Sequence, residues 1–296
     1  MWDSTDDTRY ISATRWIMRE WNADAYHRVS NPQFDWGVVV LDRLPLQGTE
    51  LVLDVGCGTG RLTEKLLERL PRGRVLATDL SLNMTQAARD YLRPSQSGRI
   101  QLAVADAAAL PVHEQADAIF STATFHWVLD HPRLFRSLFQ ALKPGGRLVA
   151  QCGGGANLAR IHHRLDVLKA EPEYARYFDA WREPWEFADA QTTATRLADA
   201  GFEQISTSVV WAPIVFPDAQ SFRSFITNVI CRPHLAYLPD ETTRTRFIAR
   251  ITKQAADDNP PFELDYWRLN IDARRPGGRT DRSFRKGSDG RLPRSC

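Results

Sequence analysis

Leu51-Val52-Leu53-Asp54-Val55-Gly56-Cys57-Gly58-Thr59-Gly60 is an apolar run that ends in three alternating glycines. A short, nearly continuous apolar run is what a strand buried on both faces of a parallel sheet requires. Glycine lets the backbone turn sharply and approach a ligand with no Cβ in the way, at the carboxyl end of a strand where such sheets bind ligands. The turn, with Gly56, Cys57, Gly58 and Gly60, therefore reads as a cofactor seat. A second run, Val75-Leu76-Ala77-Thr78-Asp79, ends in an acid 21 residues past Gly58 and is followed by Leu80. A carboxylate there can accept hydrogen bonds from both hydroxyls of a ribose. A third run ends in Val104-Ala105-Asp106, followed by Ala107, which places a carboxylate for the exocyclic amine of a purine. Asp54, just before the turn, suits an ammonium group better than a phosphate.

The glycine spacing separates two ligand classes. A dinucleotide seat has the form G-x-G-x-x-G/A, with a small third residue. Here Arg61 stands three residues past Gly58 and Thr63 three past Gly60, so the pattern is GxGxG. A nicotinamide-dependent oxidoreductase is the alternative this disfavours, and no hydride-transfer acid is recognisable.

From Glu50 onward, strand-like runs alternate with segments of helical period, the mark of βαβ units. Expected strands are 51–55, 74–79, 100–105, 116–121 and 147–152, with later ones at 205–211 and 266–273. Leu62, Leu66, Leu67 and Leu70 form one helical stripe, and Leu134, Phe135, Leu138, Phe139 and Leu142 another. Asp130 is an expected N-cap of the second helix, and Lys143-Pro144-Gly145-Gly146 an expected turn after it. Segments near 156–169, 189–200 and 218–259 also have helical character. The expected organisation is an N-terminal helical lid over 1–40, a Rossmann-like cofactor-binding core over 41–215, a helical cap for substrate over 216–262, the last core strand over 263–275 and a disordered basic tail over 276–296.

The 296 residues are 43% hydrophobic and 25% charged, an ordinary globular composition. No apolar stretch is long enough for a membrane helix, and Asp3, Asp6 and Asp7 stand where a secretory signal would be basic, so a cytoplasmic protein is expected. Cys57, Cys152, Cys231 and Cys296 lie 95, 79 and 65 positions apart, with no CxxC pair, and no metal site is expected. Residues 274–296 carry a local charge of +6 within a net +2, leaving the rest at −4. A mildly acidic body gives no reason to expect nucleic acid as partner; the basic end alone keeps a non-catalytic nucleic-acid-binding protein open.

These motifs resemble those of the class I S-adenosylmethionine-dependent methyltransferases: LDVGCGTG at 53–60, TDLS at 78–81, VAD at 104–106, DAIFSTATFHW at 117–127 and LKPGGRL at 142–148. Within that superfamily, WNADAY at 21–26, NPQFDWG at 31–37, FHWVLDH at 125–131 and CRPHL at 231–235 are similar to the trans-aconitate methyltransferase branch, which esterifies small polycarboxylates. The resemblance implies a seven-stranded, mostly parallel doubly wound sheet with an antiparallel last strand. It also implies S-adenosylmethionine as methyl donor, S-adenosylhomocysteine as product, and binding roles for Gly56, Gly58, Asp79 and Asp106. The expected acceptor is a small molecule bearing a carboxylate, the alternative being O- or N-methylation of another small metabolite; no obligate protein partner is implied.

A carboxylate acceptor is already ionised at neutral pH, so transfer needs alignment and exclusion of water more than a base. His126 and Trp127, after the fourth strand, are placed between cofactor and acceptor as catalytic candidates, His126 as hydrogen-bond donor or as base. Arg232 in the cap can clamp a carboxylate bidentately, and His131 is a second acceptor-side candidate. Tyr26 and Gln33, in the lid, are candidates to touch the ligand. His162-His163 has no partner at metal-ligand spacing and reads as a packing or surface pair.

Overall fold

The computed structural model describes residues 20–92 and 98–277. Its strands in chain order are β1 (Leu51–Val55), β2 (Arg74–Asp79), β3 (Ile100–Val104), β4 (Ala116–Thr122), β5 (Leu142–Gly153), β6 (Glu203–Trp211), β7 (Ile214–Val215), β8 (Glu263–Leu264) and β9 (Trp267–Arg274). Seven of them form one sheet of order β3-β2-β1-β4-β5-β9-β6, while β7 and β8 pair separately. Strands β1 to β5 pair in parallel, and β9 runs antiparallel between β5 and β6. The sheet is the expected one. Strand order reverses between β1 and β4, so the crevice beyond their carboxyl ends is a topological switch point.

The helices are α1 (Ala23–Val29), α2 (Asn31–Asp42), α3 (Arg61–Arg69), α4 (Leu82–Leu92), α5 (His131–Ala141), α6 (Ala159–Ala170), α7 (Ala190–Asp199), α8 (Ala219–Phe225), α9 (Arg232–Leu235) and α10 (Glu241–Ala256). Leu53 and Val55 of β1 belong to a core layer with Leu134, Phe135 and Leu138 of α5, whereas Val52 faces the opposite layer with Leu66 and Leu67 of α3. That two-sided burial is why β1 reads as a continuous apolar run. The Asp130 carboxylate caps α5, accepting from the Arg133 N–H at 2.9 Å. The expected turn at 143–146 is instead a bulge inside β5, between the pairings Ala116–Leu142 and Ala118–Arg147. Pro144 cannot prolong the helix, and Gly145, at φ +82°, takes the left-handed conformation that lets the extra residues loop out.

A third apolar cluster lies apart from the sheet layers and joins Ile161, Leu165 and Leu168 of α6 to Phe222 and Phe225 of α8 and Phe247, Ile248 and Ile251 of α10. This helical layer thus takes in residues from before β6 as well as the 216–262 stretch. Tyr26, Val29 and Trp36 of the N-terminal helices pack against it. Between α8 and α9 the chain makes a π-turn over Ile226–Ile230, with the Cys231 N–H donating to the Ile226 carbonyl at 2.7 Å. Pro233 then sits in the first turn of α9, where its missing N–H is tolerated. Among the described residues, no helix is long and apolar enough to cross a membrane. All but the first two residues of the expected basic tail, and Cys296, lie outside the described residues.

Candidate active site

The glycine turn is held by the strands on either side of it. The N–H groups of Gly56 and Cys57 both donate to the Thr78 carbonyl of β2, at 2.7 and 2.9 Å. Ser121 of β4 donates its hydroxyl to the Val55 carbonyl at 2.7 Å. Gly56, Gly58 and Gly60 all have positive φ, at +77°, +54° and +86°, which L side chains adopt only with strain. A Cβ on Gly58 would meet no atom within 4 Å, so this backbone faces open space.

That space is a cavity of about 420 Å³ at the ends of β1, β2, β3 and β4. Asp79, Leu80, Asp106 and Ala107 line it with Gly56 and Gly58, whereas Gly60 lies outside the lining and packs against Leu92 and Ala88. The Asp79 carboxylate is pinned from both sides, accepting from the Gly58 N–H at 2.9 Å and the Ser81 N–H at 2.9 Å. Burial raises its pKa, against the lowering effect of those two N–H groups. Asp106 accepts from the Ala108 N–H at 2.9 Å and caps the short helical turn after β3. Asp54 is not on this wall. It borders an adjoining recess with Cys57 and Arg61, accepts a hydrogen bond from Thr63 Oγ1 at 2.7 Å, and burial lifts its pKa to about 7.

Residues 20 and 21 cross the mouth of the cavity. The Glu20 carboxylate accepts from the Ser81 hydroxyl at 2.9 Å and the Asn83 N–H at 3.1 Å. Arg232 donates to the Glu20 carbonyl at 2.8 Å and lies 4.2 Å above the Trp21 ring centroid. Arg232 lines the 420 Å³ cavity, and its guanidinium is thus joined to the crossing segment. His131 lines neither this cavity nor the chamber described next. It is 1% exposed, with Nε2 3.1 Å from the Phe125 carbonyl and Nδ1 2.9 Å from an Arg196 Nη. The His131 ring therefore braces the start of α5.

Behind Trp21, Tyr26, Ala123 and Trp127, which line both spaces, lies a narrower chamber of about 50 Å³. His126 and Gln33 border it, as do His162, Trp185, Phe187 and Arg268, none of which had been placed in a site from the sequence. The Gly153 N–H donates to His126 Nδ1 at 3.4 Å, so the neutral ring carries its proton on Nε2. Burial drives the His126 pKa down to about 3, and the positive Arg268 adds to the effect. His162 is likewise pushed down by burial, to about 4. Gln33 Oε1 is buried without a hydrogen-bond partner among the described residues. Burial also pushes the Tyr26 hydroxyl up to about 12, so it stays protonated as a donor.

Among the described residues that line the chamber, Arg268 carries the one permanent charge. It is 3% exposed, donates Nε–H to Gln151 Oε1 at 3.2 Å and lies 4.5 Å above the Trp36 ring centroid. Among the described residues, no carboxylate forms an ion pair with it.

In sequence and in fold the chain is similar to known methyltransferases. A methyltransferase-domain family model matches residues 52–146, which span β1 to the β5 bulge. A trans-aconitate 2-methyltransferase of Variovorax paradoxus is 38% identical over 260 residues, covering 85% of this chain and 95% of that one. The chain belongs to the trans-aconitate 2-methyltransferase branch of the class I S-adenosylmethionine-dependent methyltransferases. A second enzyme of that name, from Methylobacterium radiotolerans, is 35% identical over 148 residues, half of this chain and 54% of the relative. In fold, the chain is similar to a putative methyltransferase from Bacillus halodurans, with a TM-score of 0.58 at 16% identity over 81% of this chain and 98% of the other.

The methyltransferase's cofactor is S-adenosylmethionine, and its residues fit that group. The cradle at Gly58 is open, Asp79 is fixed at the adjoining strand end, and the turn offers no G-x-G-x-x-G frame for a diphosphate. With Asp79 oriented by two backbone N–H groups, Asp79→Ala is expected to weaken cofactor binding by about 1.5 to 3 kcal/mol, the range for a charge-assisted hydrogen bond. Calorimetric titration checks this, and wild-type affinity in the variant would remove Asp79 from the ribose position.

Proposed function

We propose that this methyltransferase esterifies a carboxylate of a small organic acid, bound in the chamber behind Trp127. The observation that carries the proposal is Arg268, a buried guanidinium with no anionic partner among the described residues, set beside the cofactor cavity. A buried charge without a partner costs several kcal/mol, so a site that keeps one has a use for an anion. Carboxylate matches the planar fork of a guanidinium.

When bound, S-adenosylmethionine supplies a methyl group on positively charged sulfur, activated for in-line displacement. The residues of this chain do the rest by placement. Arg268 holds the acid, and His126, with its proton on Nε2, donates to a carboxylate oxygen. Because His126 Nδ1 accepts from Gly153 and its pKa is about 3, the ring has no basic lone pair to offer the acceptor at neutral pH. A carboxylate needs none, whereas a phenol or an ammonium would. Trp21, Tyr26 and Trp127 separate the reacting atoms from water, and Asp54 attracts the ammonium end of the cofactor.

Two pH effects follow. The turnover rate at saturating cofactor and acceptor is expected to be flat from about pH 6 to about pH 9, since an ordinary imidazole base would make it rise through about pH 6.5. Cofactor affinity is expected to fall on acidification below about pH 7, because Asp54 then takes up a proton and loses its negative charge. A pH–rate profile with separately measured binding constants resolves the two. The ester itself is tested by chemistry: labelled methyl transferred to a carboxylate is released as methanol by mild alkali, and alkali-stable product would refute the proposal.

A further inference from the structure

The walls of the chamber select among acids. Resting on the carboxylate reading above, we infer that the preferred acceptor is a monocarboxylic acid with a flat, unsaturated or aromatic body, in contrast to the tricarboxylic acid in the relatives' names.

The first argument is charge. A tricarboxylate brings two carboxylates besides the one that reacts, and each must find a cation or remain in water. Among the described residues, the chamber offers one guanidinium, Arg268. Its two histidines are neutral at physiological pH, His126 by burial and the nearby Arg268, and His162 by burial. Arg232 and Arg133 line the neighbouring cofactor cavity instead; Arg232 is already joined to the Glu20 carbonyl and the Trp21 face, and Arg133 Nε donates to the Ala108 carbonyl at 3.1 Å. Seating a tricarboxylate here would leave buried negative charge without a partner.

The second argument is shape. Trp185 and Phe187 stack at 6.0 Å with an interplanar angle of 20°, and His126 stacks on Phe187 at 5.7 Å and 29°. His162 lies 4.6 Å from Trp185, and Val229 and Ile230 complete an apolar wall. Neutral rings and branched aliphatic groups line a space of only about 50 Å³ beside the cofactor cavity, so a planar hydrocarbon body, the thinnest an organic acid can present, enters with the least displacement of these walls and makes offset ring contacts with them. The one charged demand among the described lining residues is at the Arg268 end, where one carboxylate satisfies it; Gln33 Oε1 and His162 Nε2, buried there without hydrogen-bond partners among the described residues, are neutral.

The reaction balances without a base. A lone pair of the carboxylate oxygen forms the new carbon–oxygen bond as the methyl–sulfur bond breaks. The bonding pair leaves with sulfur, which becomes neutral, so the products are a methyl ester and S-adenosylhomocysteine, and no proton moves.

The test compares kcat/KM of the full-length enzyme for cinnamate and benzoate with that for trans-aconitate and citrate, using a phenol and a primary amine as controls. The expected result is a preference of about a hundredfold or more for the monocarboxylates. Equal or better use of trans-aconitate or citrate would overturn this inference and leave the ester reading standing. Transfer to the phenol or amine, or to none of the four acids, would overturn the ester reading and this inference with it.

Discussion

Arg268→Met is expected to raise the melting temperature while removing almost all acceptor methylation. The two effects have one cause. In the free enzyme Arg268 is 3% exposed and has no carboxylate partner among the described residues, so its desolvation is largely uncompensated. Its hydrogen bond to Gln151 and its position over Trp36 recover part of that cost. Methionine fills similar volume without a charge. Gln151 loses one donor at Oε1 but keeps its own bond from Nε2 to Asn270 at 2.9 Å. Replacing buried charges by apolar side chains commonly stabilises by about 1 to 4 kcal/mol, and the lost Gln151 contact offsets about 1 kcal/mol of that. At roughly 2 to 4 °C per kcal/mol, the net rise is expected to be a few degrees. For the acceptor the sign reverses: removing one partner of a buried charge pair costs about 2 to 5 kcal/mol, a loss of roughly 30-fold to several thousandfold in kcat/KM. Cofactor affinity should stay within about threefold. Thermal denaturation, calorimetry and initial rates on one preparation decide the matter. A purely structural arginine would lose stability and activity together, and that outcome would take Arg268 out of the acceptor site.

The halves of the site differ in how far the sequence reveals them. Each part of the cofactor half is local: Gly56 to Gly60 follow β1 directly, Asp79 ends β2, and Asp106 follows β3. A strand end and the loop after it are read together, because strand period and turn chemistry are both short-range signals. The acceptor half is assembled from six distant stretches, around 21–33, 123–127, 157–162, 185–187, 229–230 and 266–268. Nothing local marks Trp185 or Phe187, which lie in a connection with no helical or strand period between α6 and α7. His162 reads as packing until the fold lays it against Trp185. Arg268 carried no sign of its own: with Asn270 and Asp272 it falls on the polar side of an alternating strand, opposite Leu269, Ile271 and Ala273. A charged residue there is as compatible with an edge strand as with a buried one, and β9 becomes central only because β6 pairs on its far side. Arg232 shows the converse: its place in the cap follows from the chain, but its engagement with Glu20 and Trp21 depends on a crossing segment some two hundred residues away.

Two alanine substitutions in the glycine turn should separate folding from binding. At Gly56, φ is +77°, and a Cβ would fall 2.0 Å from Thr124 Oγ1, 2.5 Å from its Cγ2 and 2.7 Å from its Cβ. Thr124 cannot simply rotate aside, because its hydroxyl donates to the Thr122 carbonyl at 2.9 Å, just past the end of β4. Left-handed strain of about 1 to 2 kcal/mol and overpacking of about 1 to 3 kcal/mol therefore combine to about 3 kcal/mol. Gly56→Ala is expected to melt roughly 6 to 12 °C lower with or without cofactor present. At Gly58, φ is +54° and the added methyl meets nothing within 4 Å. Only the backbone strain remains, about 1 to 2 kcal/mol, so the fold of Gly58→Ala should be nearly intact. Its methyl group, however, enters the space the cofactor needs, and affinity should fall by about tenfold or more, with the cofactor-induced rise in melting temperature shrinking accordingly. Removing Thr124's side chain in a Gly56→Ala/Thr124→Gly double variant should recover stability beyond the sum of the single effects, because the two sites share one clash. Wild-type cofactor affinity in Gly58→Ala would mean that the open space beside that glycine is not where the adenosyl group lies, and the placement of the whole cofactor would have to move.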